Sequence, residues 1–122
     1  MKTQRRAADA LTTLRESLRR FAEERDWDQF HSPKNLTCAL IVEAAELVER
    51  FQWFTEDQSK QLSVEQLGQV REEIADVFLY LILLADKLDV DLLGAAREKI
   101  EANALKYPIQ KSRGNSRKYS EL

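Results

Sequence analysis

The chain has 122 residues, 43% hydrophobic and 33% charged, with three glycines, two prolines and a formal net charge of −2. That length is one domain's worth, and so few helix breakers among so many charges point to an all-helical protein rather than a sheet or a disordered chain. The nearly balanced charge gives no general attraction to nucleic acid or anionic membranes, so neither is expected as a partner.

Cys38 is the only cysteine, which leaves no intrachain disulfide or cysteine-based zinc site and favours a reducing, cytoplasmic setting. The opening stretch MKTQRRAADAL has no apolar core of a secretory signal. The most apolar run, Val77 to Ala85, is far shorter than the ~20 residues that span a bilayer.

The spacing of Ala7, Leu11, Leu14, Leu18, Phe21 and Ala22 predicts a first helix over about 3–25. A connector follows, DWDQFHSPKN, with Trp27, Phe30 and His31 pinned against the core; Ser32 is a candidate N-cap and Pro33 fits the first turn of the next helix. That helix is expected to run to about Phe54, with Leu36, Leu40, Ala44, Leu47, Val48, Phe51 and Phe54 on its core side. Thr55 to Gln61 is a polar break. Ser63 with Gln66 then forms a capping box for a third helix to about Leu88, its core side carrying Leu67, Val70, Ile74, Val77, Leu81, Leu84 and Leu88. Asp91 caps a fourth helix that ends at Tyr107 before Pro108. These elements predict an all-α four-helix bundle over 1–107, followed by a basic tail, 108–122, ordered only by a ligand or partner subunit if at all. Because the third helix is apolar nearly all round between Val77 and Leu84, the bundle is expected to self-associate, as a dimer or dimer of dimers.

Charge is placed unusually on the second and third helices. Glu43 and Glu46 lie three apart at the edge of one apolar stripe, in line with Asn35 at one end and Trp53 at the other; Glu73 and Asp76 repeat the pattern, with Tyr80 one turn on. Packed side by side, the helices bring together four carboxylates, which repel strongly unless a cation neutralises them. An all-oxygen set suits a hard cation, Mg²⁺ or Mn²⁺. Helical chains with 21 acidic residues also carry many such pairs as solvated charge, and Glu23, Glu24, Glu49, Glu56, Glu65 and Glu98 read that way. A di-iron bundle needs E-x-x-H, and the single histidine, His31, lies outside both helices. Lys99, Asn103 and Tyr107 share a face of the fourth helix, where they either meet phosphate and sugar or form an ordinary amphipathic rim. The other class of reading is a non-catalytic assembly module whose carboxylates pair with Arg50, Arg71 or Lys87.

EAAE at 43–46 followed by EIAD at 73–76 resembles the all-α nucleoside triphosphate pyrophosphohydrolase superfamily, which includes MazG and the dimeric dUTPases. With RDWDQFHSPKNL at 25–36, ELVERFQWF at 46–54, EEIADVFLYL at 72–81 and NALKYPIQKSRGNSRKY at 103–119, the likeness is closest to its dCTP pyrophosphatase branch, and it covers about Leu14 to the C-terminus. The resemblance implies hydrolysis of a deoxynucleoside triphosphate, dCTP or a 5-modified dCTP, to the monophosphate and pyrophosphate by water attack at the α-phosphorus. It gives Glu43, Glu46, Glu73 and Asp76 the catalytic Mg²⁺ (or Mn²⁺), and Trp27, His31, Trp53 and Tyr80 the base. Asn35 stands in the same line, and Lys99, Asn103, Lys106 and Tyr107 are assigned to phosphates and deoxyribose. Family members are tetramers that share residues between subunits, which matches the expected homo-oligomer.

Overall fold

A computed structural model describes residues 2–122, and every regular element among them is helical. The chain divides into two compact units, one up to Asp89 and one from Val90 to Leu122.

The first unit holds three long helices, α1 (Lys2–Glu24), α2 (Pro33–Glu49) and α4 (Val64–Lys87), with a short α3 (Glu56–Lys60) between the last two. α1 ends in a Schellman motif: Asp26 takes the left-handed conformation (φ 54°), its N–H reaches the Glu23 carbonyl at 3.1 Å, and the Trp27 N–H reaches the Ala22 carbonyl at 2.8 Å. A single 3₁₀ turn, Asp28–Phe30, leads to α2. The expected start of α2 is present: the Ser32 hydroxyl accepts from the Asn35 N–H, and Pro33 fills the first position. Asn35 also donates through Nδ2 to the Phe30 carbonyl at 3.0 Å, tying the connector to the helix it precedes.

α2 stops at Glu49, a turn earlier than its apolar periodicity predicts. Arg50, Phe51 and Phe54 close tight turns back to Leu47, Val48 and Phe51. Trp53 therefore leaves the helix surface and stands 86% exposed, off the line of Glu43 and Glu46. The polar break also contains structure, because Thr55 and Gln58 cap α3 reciprocally. α4 begins with the expected box of Ser63 and Gln66.

α2 packs along α4, and α1 meets α4 over a shorter stretch. Ala22, Leu36, Val70 and Ile82 are buried, together with Glu73. Several expected core residues are not: Leu14, Phe21, Val48, Leu67, Ile74, Leu81 and Leu88 are exposed, as are Ile41, Val42 and Phe78. The reason is geometric. An apolar surface that runs nearly round α4 needs more faces covered than two neighbouring helices supply.

In the second unit, Asp91 accepts from the Gly94 N–H to start α5 (Leu92–Lys106). Pro108 follows, then α6 (Ile109–Ser112), a turn at Gly114 (φ 80°) and a 3₁₀ turn at Tyr119–Glu121. The tail folds back on α5 by itself: the Tyr119 ring meets Tyr107 edge-on at 6.1 Å, and Lys106 Nζ lies 5.1 Å from the Tyr119 ring centre. The apolar spacing carried no sign of this order, which draws on the aromatic pair, the Lys106 cation and the hydrogen bonds of Asn115 to the Lys111 carbonyl and the Arg117 N–H.

Ser63→Ala removes the hydroxyl half of the α4 cap and should cost about 1 kcal/mol of stability. Urea unfolding should show a lower midpoint with an unchanged slope.

Candidate functional site

The spacing of three that places Glu43 with Glu46 on α2, and Glu73 with Asp76 on α4, turns each pair toward the seam where the helices pack. Carboxylate oxygens of Glu43, Glu73 and Asp76 all lie within 4.8 Å of one another. Glu46 stands outside this triad, close enough for its charge to act on Glu43. Glu43 is half-buried and its carboxyl is pushed up to about 7, first by desolvation, then by Glu46, then by Asp76 and Glu73.

Glu73 is the one buried charged residue among those described, 7% exposed. Its Oε1 accepts from Arg50 Nη2 at 3.1 Å, whereas Oε2, like Oε2 of Glu43, is buried without a hydrogen-bond partner. Buried carboxylate oxygens without partners are costly, and clustered like charge adds to the cost. A divalent cation offsets both. Three carboxylates that can converge, two of them with orphaned oxygens, fit a hard metal ion through their donor chemistry.

Beside the cluster lies a cavity of about 380 Å³. Asp76 and Tyr80 of α4 form its polar edge, Trp27 and His31 of the connector close one side, and Leu14, Ser17, Leu18 and Phe21 of α1 supply much of the wall. The Tyr80 hydroxyl titrates above its ordinary range, through desolvation and then the charges of Glu43, Asp76 and Glu46. Trp27 is fixed by its place in the Schellman motif and by an edge-on contact with Phe21 at 5.6 Å. Ion pairs hold the frame: Asp28 of the 3₁₀ turn binds Lys87, and Arg19 of α1 grips Asp86 of α4 with Nε and Nη2. The Arg19 guanidinium keeps the Asp86 carboxyl below its usual range.

The structure thus brings Trp27, His31 and Tyr80 together and joins them to the carboxylates through Asp76. Neither Asn35 nor Trp53 lines the cavity. Lys99, Asn103, Lys106 and Tyr107 belong to the second unit. The wall from α1 is absent from the sequence reading because its residues lie on an apolar stripe indistinguishable from core. Arg50 appeared there only as an ion-pair partner; its position four residues after Glu46 and seven after Glu43 is the available signal.

The chain belongs to the MazG-like family, whose model matches residues 39–122. It is 44% identical over 104 residues to dCTP pyrophosphatase 1 of Homo sapiens and 43% identical over 104 residues to that of Mus musculus. Both matches cover 84% of this chain and 61% of the relative, so the matched chain spans about three-fifths of the length of these relatives. A crystal structure of a pyrophosphatase from Archaeoglobus fulgidus aligns with a TM-score of 0.72 at 38% identity, over 84% of this chain and 93% of that one. At that likeness the fold is that of the family. Among the described residues, no helix is long and apolar enough to cross a membrane.

Glu43 holds its proton more tightly in the folded chain than at its ordinary value of 4.5. Between about 4.5 and about 7 the metal-free native state therefore binds more protons than the unfolded state, and the stability from this group falls as pH rises. Melting in the presence of chelator should show a decline across that window. Glu43→Gln should flatten it; an unchanged decline would assign the effect to other groups.

Proposed function

We propose that the protein is a metal-dependent nucleoside triphosphate pyrophosphohydrolase that converts dCTP, or a 5-modified dCTP, to the monophosphate and pyrophosphate. The observation that carries this reading is the sharing of Asp76: one carboxylate borders both an aromatic-edged cavity with room for a base and a cluster with unsatisfied oxygens. Relatives named dCTP pyrophosphatase 1 support the substrate, and the A. fulgidus pyrophosphatase supports the bond cleaved.

Glu43, Glu73 and Asp76 are the residues to hold Mg²⁺ or Mn²⁺, with Glu46 completing the set. A cation bound there would neutralise phosphate charge and acidify a water molecule. One of these glutamates would receive the proton that a hydrolytic water loses. Trp27, His31 and Tyr80 would clasp the pyrimidine by stacking and hydrogen bonding, with the α1 wall excluding water. Asn35 would act by holding the connector, through its bond to Phe30. Trp53, Lys99, Asn103, Lys106 and Tyr107 keep the substrate contacts that the family resemblance gives them. A salt-bridge module would use its carboxylates in ion pairs, whereas here Arg50 engages one oxygen of Glu73 and leaves the other free.

We further assign the exposed Ile74, Phe78 and Leu81 face of α4 to a second copy of the chain, and the protein to the cytoplasm. Light scattering should give a multiple of 14.2 kDa; a 14.2 kDa particle would refute self-association.

With Mg²⁺, dCTP should yield dCMP and pyrophosphate faster than dUTP, dTTP, dATP or dGTP. Glu73→Gln should lower turnover by at least 100-fold while the helical circular dichroism persists. Release of phosphate instead of pyrophosphate would overturn the assigned bond, and another leading base would overturn the pocket.

A further inference from the structure

We propose that Arg50 is a positioning residue of the carboxylate cluster, holding Oε1 of Glu73 so that Oε2 is presented to the cation. The inference rests on the metal-dependent reading above and adds a residue that is not itself a ligand.

The geometry starts with the end of α2. Arg50 is its C-cap and keeps helical angles (φ −67°, ψ −20°), with its N–H directed to the Leu47 and Val48 carbonyls. Its backbone is thereby fixed on the side of α2 that carries Glu43 and Glu46, seven and four residues earlier. From there the guanidinium spans to α4 and donates Nη2 to Glu73 Oε1 at 3.1 Å. This is the only hydrogen bond Glu73 receives among the described residues; its side chain is 9% exposed, which leaves solvent little room to replace it. A glutamate has three side-chain torsions, and the charges of Glu43 and Asp76 push the Glu73 carboxylate away from the cluster. Arg50 opposes that push and selects which oxygen remains free.

Arg50 also carries positive charge, which by itself disfavours a second cation. Two observations set the order of these effects. The Arg50 side chain is 38% exposed, so solvent screens its charge, and it engages one oxygen through one nitrogen, leaving the ligand position open. Orientation of a buried ligand, by contrast, has no substitute in the structure. Loss of an outer partner of a metal ligand typically weakens metal binding about 10–100-fold.

The test is a Mn²⁺ titration of metal-free protein, with free Mn²⁺ read by electron paramagnetic resonance, on the native chain, Arg50→Gln and Arg50→Lys. Arg50→Gln should need about 10-fold more Mn²⁺ for half-saturation, and Arg50→Lys, which keeps the charge but ends one bond short of the guanidinium nitrogen that reaches Glu73, should lie between. At saturating Mg²⁺, kcat on dCTP should return close to the native value, because the loss lies in metal affinity. If Arg50→Gln fails to fold by circular dichroism, Arg50→Lys decides: several-fold weaker Mn²⁺ binding supports the proposal, and native affinity overturns it. Native or tighter affinity in folded Arg50→Gln also overturns it, the latter making Arg50 a competitor for the site. Failure of the native chain to bind Mn²⁺ would instead remove the metal reading on which the proposal rests.

Discussion

Acidic side chains placed on an apolar seam are the constraint on which this molecule turns. α2 and α4 must pack to bury Leu36, Val70 and Ile82, and that packing forces Glu43, Glu73 and Asp76 into mutual range. Hydrophobic association drives the helices together while like charge opposes it. Two features ease the conflict: burial and neighbouring charge hold the Glu43 carboxyl up at about 7, so that it gives up its proton late, and Arg50 supplies one positive charge to Glu73. Both are partial, since two carboxylate oxygens remain buried without partners. A cluster with the donor chemistry of a cation site is thus a by-product of how the core is assembled.

The cavity depends on the same helix. Asp76 and Tyr80 stand one turn apart on α4, so the register that sets the carboxylates also sets the polar edge of the pocket. The opposite walls come from elements with little apolar attachment of their own. The connector is fixed by backbone geometry, through the Asp26 conformation and the Ser32 cap, and α1 meets α4 over a short stretch. The cavity and the carboxylate cluster therefore share a rigid component and differ in the stiffness of the rest.

Much of this was legible in the sequence, for identifiable reasons. Capping is local chemistry, so Ser32, Ser63 and Asp91 announced their helices, and a spacing of three on two apolar stripes announced the carboxylate pairs. Trp27, His31 and Tyr80 were found through family likeness, and the structure brings them to one cavity. What periodicity misjudged was where a helix stops. Phe51 and Phe54 continue the stripe of α2, yet the chain turns after Glu49, and this carried Trp53 off the expected line. Thr55 and Gln58 form a capping box as clear as that of Ser63, but α3 is too short to show an apolar rhythm. The exposed Ile74 and Leu81 mark another limit: an apolar stripe shows that a face is covered, and does not say whether the cover lies in the same chain.

The ion pairs that frame the cavity have a further consequence. Arg19 with Asp86 and Lys87 with Asp28 sit toward the solvent, whereas the α2–α4 seam is held by buried apolar contacts. Dissolved salt screens the first kind of attachment and leaves the second almost untouched. Ionic strength should therefore weaken the attachment of α1 and the connector more than the α2–α4 seam. The cavity wall and the carboxylate seam are thus held by different kinds of attachment, although Asp76 belongs to both.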